Sequence, residues 1–324
     1  MLFIIALVIA VLFSWGCAGA LRKHPTPFYI GGAVLSAAAY ALSLMHIETP
    51  FVREYLLGIF TRGALAGALW VVVMGMRVLP NGSAAVKRLM PVRGELSIFA
   101  AAVTLSHIAN YGVSYIKRLL MPEFSTAADF VTTFAVSALL VLIMVPLTVI
   151  SFKKIRSKMN ALRWKKLQKA AYVFYALIYI HVMVIFLPRA RAGQSGALVS
   201  CIAYTAVWSA YLALRVRKWY VTTKKPERKA LMNGVSFAAV AAFTGLTAIV
   251  GYSAPKTSSL LLHPRKAPRP WSLRLPLPPK LPQTPILPQN LRKAPLPTPS
   301  HRLPTAPLPP FPHAARTAPP ASLR

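Results

Sequence analysis

Residues 170–187 read AAYVFYALIYIHVMVIFL, an apolar run in which His181 is the one side chain that can be charged near neutral pH. A helix needs about 20 mainly apolar residues to cross the ~30 Å hydrocarbon layer of a membrane. Seven further runs of similar character occur before residue 253. The eight predicted spans are 2–20, 27–46, 56–79, 95–116, 128–152, 170–187, 196–214 and 231–252. The sequence therefore predicts an all-α integral membrane protein, a polytopic helix bundle of about eight transmembrane helices.

The composition excludes a soluble domain. The chain is 56% hydrophobic and 14% charged, with a mean hydropathy of +0.52, whereas soluble domains average about 25% charged residues. A formal net charge of +32 would suit a protein that binds nucleic acid. However, the basic residues form short clusters between apolar runs, and no nucleic-acid-binding motif accompanies them. We therefore expect lipid, and no nucleic acid, as a partner.

The basic residues also predict an orientation, because cytoplasmic loops of membrane proteins are enriched in Lys and Arg. One set of alternate loops carries 21 Lys and Arg, and the opposite set carries 5. The first set is 21–26, 77–93, 153–169 and 215–230; the second is 47–55, 117–127 and 188–195. The first set is expected to be cytoplasmic, in a multi-pass protein of the cell membrane. The chain after residue 252 then lies outside.

The last 70 residues differ from the rest of the chain. Positions 255–324 hold 20 of the 29 prolines and 11 of the 38 basic residues, without glycine or acidic residues. Proline on this scale prevents helices and sheets, so 253–324 is expected to be a disordered extracytoplasmic tail. Two alternative interpretations of this tail remain. Its Pro-x-x-Pro repeats could bind a partner protein with an aromatic-lined groove, or the segment could be translated in a shifted reading frame.

Two histidines lie deep inside predicted spans. His107 is 13 residues beyond Gly94, and His181 is 11 residues beyond Ala170. At 1.5 Å per residue these positions are ~20 and ~17 Å from the same side of the membrane. Ionisable groups at such depth are costly and usually have a partner inside the bundle. A facing histidine pair is a usual way to hold a b-type haem, and the alternative is that both residues only pack.

Three stretches resemble the ferric reductase-like transmembrane domain family, most closely its MsrQ-type haem-binding membrane subunits. They are RGELSI at 93–98 continuing to His107, RWKKLQKAAY at 163–172 ending at His181, and FTRGAL at 60–65. The resemblance covers about residues 55–215. It divides the chain into two additional N-terminal helices (1–54), a haem-binding bundle (55–252) and the tail (253–324).

The resemblance implies one b-type haem between His107 and His181. Where the family places a further histidine, this chain has Gln168, so the resemblance implies a single haem and makes Gln168 and Arg93 cofactor-binding candidates rather than iron ligands. The alternatives for the Gln168 side chain are a hydrogen bond to a quinone, to a lipid headgroup or to its own loop, the last being the commonest case for such a residue. A quinone or flavin is the other cofactor considered for the chain. No Gly-rich nucleotide-binding loop is present.

Because the chain has no nucleotide-binding loop of its own, we expect quinol or a partner flavoprotein to donate the electrons. An extracytoplasmic redox partner protein is expected to accept them. Whether the chain is itself an enzyme stays open. The alternative function is that of a haem-free transporter or assembly factor.

Overall fold

The computed structural model describes residues 2–45, 49–120, 128–223 and 229–252. These residues form helices and connecting turns, without β-strands. The predicted disordered tail, 253–324, lies outside the described residues. The helices are α1 Leu2–Lys23, α2 Pro25–Leu44, α3 Gly58–Thr61, α4 Ala64–Gly75, α5 Ala84–Leu89, α6 Arg93–Leu120, α7 Ala128–Val149, α8 Lys153–Arg156, α9 Ala161–Leu167, α10 Ala170–Arg191, α11 Ser195–Thr223 and α12 Lys229–Tyr252.

Among the described residues, seven helices are long and apolar enough to cross a membrane, which confirms the all-α polytopic membrane fold. One predicted span differs from its expectation. Instead of a single helix over 56–79, the structure has a π-helical turn Val52–Leu57, then α3, and then α4, with a 45° bend before α4. The physical reason for the bend is Gly63, whose φ of 74° lies in the left-handed region and interrupts the helix.

The bent segment extends along α1 from one end towards the other. A β-carbon on Gly58 would lie 3.5 Å from Leu2, the first residue of α1. After the segment, Arg88 of α5 donates to the Trp15 carbonyl at 2.9 Å. Leu2 and Trp15 are separated by ~20 Å along α1. We therefore count Val52–Gly75 as one span, which brings the total to the predicted eight.

Small residues bring the helices together. Ser36 of α2 is 2% exposed and donates to the Ala102 carbonyl of α6 at 2.7 Å. Along α1 the buried stripe is Ala6, Ala10, Ser14 and Ala18. Lipid offers no hydrophobic drive for helix association, so small residues stabilise these contacts by allowing close backbone approach. The two N-terminal helices thus pack into the same bundle as the rest.

The other helices complete the core around α4 and α6. Phe3 of α1 stacks on Tyr204 of α11 at 3.8 Å, and Trp70 of α4 meets Phe174 of α10 edge-on at 4.8 Å. At the start of α6, Glu95 is 3% exposed and pairs with Lys153 at 3.1 Å. These contacts join α1 to α11, α4 to α10, and the start of α6 to the start of α8.

Candidate functional site

His107 lies against the break between α3 and α4. Its Nδ1 is 3.1 Å from the carbonyl oxygen of Thr61, the last residue of α3. A carbonyl oxygen can only accept, so Nδ1 carries the proton and donates it. A β-carbon on Gly63 would lie 3.0 Å from the Cγ and Nδ1 atoms of His107. The glycine therefore supplies both the bend and the space for the imidazole.

The neighbour of His107 stabilises the same break. Ser106 donates to the Phe60 carbonyl at 3.2 Å and to the Val103 carbonyl at 3.1 Å. Two consecutive residues of α6 thus contact two consecutive carbonyls at the end of α3. The Phe60 carbonyl also accepts from the Gly63 N–H at 3.1 Å. The contact of His107 with Thr61 matters most, because a carbonyl without a partner in the hydrocarbon layer costs several kcal/mol.

His181 is held by α7. Its Nδ1 is 3.3 Å from the Ser137 hydroxyl oxygen. Ser137 donates its own proton to the Thr133 carbonyl at 2.6 Å, so towards His181 it acts as the acceptor. With Ser137 as the acceptor, the Nδ1-protonated tautomer of His181 fits this contact, as the same tautomer of His107 fits its contact with Thr61. In a neutral imidazole this leaves Nε2 as the nitrogen with a free lone pair.

The structure brings the two predicted histidines together. Their ring centres are 6.2 Å apart and their planes are nearly perpendicular, at 84°. Both side chains are half-buried. Tyr111, one turn further along α6, has its ring 5.0 Å from that of His107.

The separation of the rings suits two axial ligands of one iron. Two metal–imidazole bonds of ~2 Å each, with ~1 Å from each nitrogen to its ring centre, add up to ~6 Å. The protonation of both Nδ1 atoms suits the same role, because ligating histidines usually donate their other N–H to a carbonyl or a similar acceptor. The residues present therefore fit a bis-histidine haem. The described part of the chain contains no group of three or more His, Cys, Asp and Glu residues placed to hold a metal ion.

The proposed pairing of His107 and His181 predicts that α6 and α10, the fourth and sixth spans predicted from the sequence, pack against each other around one haem. Instead, α6 packs mainly on α2 and α4, while α10 packs mainly on α7 and α11. Towards the start of α10, Trp70 lies between them. It touches Phe174 and donates to Thr104 at 3.4 Å. The physical reason is the bent span, whose second half, α4, contacts both helices.

Arg93 and Gln168, the other two predicted cofactor-binding residues, form a separate cluster. Arg93 donates to the side-chain carbonyl of Gln168 at 2.9 Å, and Gln168 is 7% exposed. Arg93 is 14 residues before His107 on α6, which corresponds to ~21 Å. Neither residue contributes to the histidine site. The hydrogen bond ties the start of α6 to the start of α10.

A polar pocket of about 200 Å³ lies beside His107 at the opposite end of the bundle from this cluster. Arg53 and Arg62 line it, together with Ser43, Asn110 and Tyr111. No role for these residues follows from the sequence alone. The one sequence signal that pointed towards this pocket was the FTRGAL stretch, which contains Arg62 and Gly63. Ser137 carried no such signal, because a lone serine in an apolar span is common.

Comparisons with known proteins leave the family open. No protein-family model and no solved structure matches the chain. A protein of Treponema pallidum (strain Nichols), described as "Uncharacterized protein", is 37% identical over 199 residues, which are 61% of this chain. The chain spans 55% of the length of this relative. The ferric reductase-like resemblance therefore remains a proposal.

Proposed function

We propose that this chain is a ferric reductase-like transmembrane electron-transfer protein that holds one b-type haem between His107 and His181. The observation that supports it best is the pair itself. Two imidazoles from different helices have ring centres 6.2 Å apart, and the Nδ1 atom of each contacts a separate oxygen. Residues that only fill space need neither this separation nor an oxygen partner for each Nδ1.

The chain's own residues would bind and orient the cofactor. Haem supplies a one-electron couple when bound; His107 and His181 would hold its iron, and the apolar bundle would supply a low dielectric. A b-type haem also carries two carboxylates. Arg53 and Arg62, in the pocket beside His107, are two cations placed to receive them.

The proposed path runs across the membrane. Quinol or a partner flavoprotein would donate single electrons, and an extracytoplasmic redox partner protein would receive them. The Arg93–Gln168 end of the bundle, ~21 Å from His107, is the side at which a quinone or flavin donor would deliver its electrons.

The test is a reduced-minus-oxidised absorption spectrum of the full chain, purified after expression with ample haem supply. We expect a Soret band and one haem per chain. A protein that binds no haem under these conditions would be assigned to the alternative, a transporter or assembly factor with packing histidines. A metal analysis of the same sample separates haem iron from an ion bound directly by the two imidazoles.

Ser137→Ala is expected to lower haem affinity by roughly 10-fold or more, because loss of the partner that orients a metal-ligating histidine typically has this effect. Haem titration of the stripped protein measures it. Ser114→Ala is the matched control, since Ser114 lies on α6 and donates only to the Asn110 carbonyl of its own helix. Equal affinities for the two variants would contradict an orienting role for Ser137.

The proposed orientation places the basic loops in the cytoplasm and the end of α12 outside the cell membrane. Reporter fusions after Arg156 and Lys229 are expected to give cytoplasmic signals, and a fusion after Tyr252 an external one. A cytoplasmic signal at Tyr252 would contradict the eight-span count. The bent span Val52–Gly75 would be the first place to look for the error, as it is the one span with a break.

A further inference from the structure

We propose that a pocket at the Arg93–Gln168 end of the bundle binds the phosphate group of an anionic lipid. The pocket has a volume of about 450 Å³, which is within the range of small-molecule sites. Its lining includes four cations, Arg77, Lys165, Lys169 and Arg215, with the polar side chains of Gln168 and Tyr172. We call it the basic pocket.

The basic pocket concentrates positive charge without a counter-ion. In the described part of the chain, the one ion pair joins Lys153 to Glu95, so no pocket cation has a carboxylate partner there. Like charges brought together at the edge of a low-dielectric membrane repel each other. A bound anion would offset this repulsion.

The two arginines are held in place around one aromatic ring. The guanidinium carbons of Arg77 and Arg215 lie 5.7 and 5.3 Å from the centre of the Tyr172 ring. Arg77 also donates to the Tyr172 hydroxyl at 3.1 Å. Lys218 fixes the backbone beside the pocket by donating to the carbonyls of Arg77 and Leu79 at 3.0 and 2.8 Å. The cations are therefore positioned before any ligand arrives, and guanidinium groups match phosphate oxygens well.

The position of the basic pocket favours a lipid over a soluble phosphate. Tyr172 lies two residues after the start of α10 at Ala170, at the level where spanning helices reach the headgroups. Tyrosine and tryptophan are enriched at this level, and Trp164 also lines the pocket. Basic pockets between transmembrane helices on the cytoplasmic side are typical sites for anionic headgroups. This proposal does not depend on haem binding.

The test uses the full chain, stripped of lipid in a neutral detergent. Binding of phosphatidylglycerol is measured by native mass spectrometry and by thermal unfolding, with phosphatidylcholine and inorganic phosphate as the other two ligands. The variant is Lys165→Gln with Lys169→Gln, because both side chains are exposed and their loss leaves the packing intact. Lys158→Gln with Arg163→Gln is the control, since it removes the same charge from exposed positions of the same basic segment outside the pocket.

Phosphatidylglycerol is expected to stabilise the wild-type chain and the control variant. The pocket variant should bind it about 10-fold more weakly or worse, as two basic contacts are lost. Equal binding of phosphatidylcholine, or equal loss in both variants, would overturn the proposal. Full stabilisation by inorganic phosphate alone would overturn the lipid as the source of the phosphate group.

Discussion

His107→Ala and His181→Ala are each expected to abolish the low-spin haem spectrum. Each substitution removes one of two axial ligands, and the remaining imidazole cannot keep iron six-coordinate. The measurement is the haem content per chain and the reduced-minus-oxidised spectrum of each purified variant. Gln168→Ala is expected to leave the spectrum nearly intact, because Gln168 contacts Arg93, ~21 Å along α6 from His107.

A further substitution separates the loss of a ligand from the loss of the fold. The amide of His107→Asn can still donate to the Thr61 carbonyl, which Nδ1 contacts at 3.1 Å, but it offers iron no imidazole nitrogen. His107→Asn should therefore keep the thermal stability better than His107→Ala while losing the haem equally. His24→Ala is the matched control, as His24 is exposed just before α2. Haem retained by His107→Asn would show that His107 supports the helix break and does not bind iron.

Much of the fold could be predicted because membrane crossing imposes a simple rule on sequence. A helix such as α10 must be apolar for about 20 residues, since its backbone cannot hydrogen-bond to lipid. The same rule could not reveal the bend before α4. Arg62 and Gly63 are two residues within an otherwise apolar segment, and a left-handed glycine is visible only in its backbone angles.

The pairing of the two histidines could be predicted from the sequence, but the groups that support them could not. His107 and His181 attract notice because histidine is costly at that depth. Their partners do not. Thr61 contributes a backbone carbonyl, which every residue has. Ser137 donates its proton back to its own helix, as many helical serines do, and only its oxygen is available to His181. Arg93 and Gln168 were joined to the histidines by resemblance alone, and the structure separates them because helix length sets their distance.

Gly63→Ala is expected to destabilise the protein and to lower haem binding together. An L-residue at a φ of 74° costs ~1–2 kcal/mol in backbone strain. The new methyl group would also lie 3.0 Å from the Cγ and Nδ1 atoms of His107, which is too close. The imidazole must then shift by a few tenths of an ångström, which disturbs its contact with the Thr61 carbonyl and its position relative to His181. Thermal unfolding and haem titration measure the two effects.

Gly82→Ala provides the matched control for this prediction. Gly82 has a φ of 84°, and a β-carbon there would have no atom within 4 Å. The two variants therefore share the backbone strain and differ in the contact with His107. We expect Gly82→Ala to lower the unfolding temperature, while its folded fraction binds haem as the wild type does. The folded fraction of Gly63→Ala should bind haem at least 10-fold more weakly. This is the size of effect seen when a metal-bound histidine loses the partner that orients it. If both folded fractions bound haem equally well, Gly63 would be needed for the bend alone, and the placement of His107 would not depend on it.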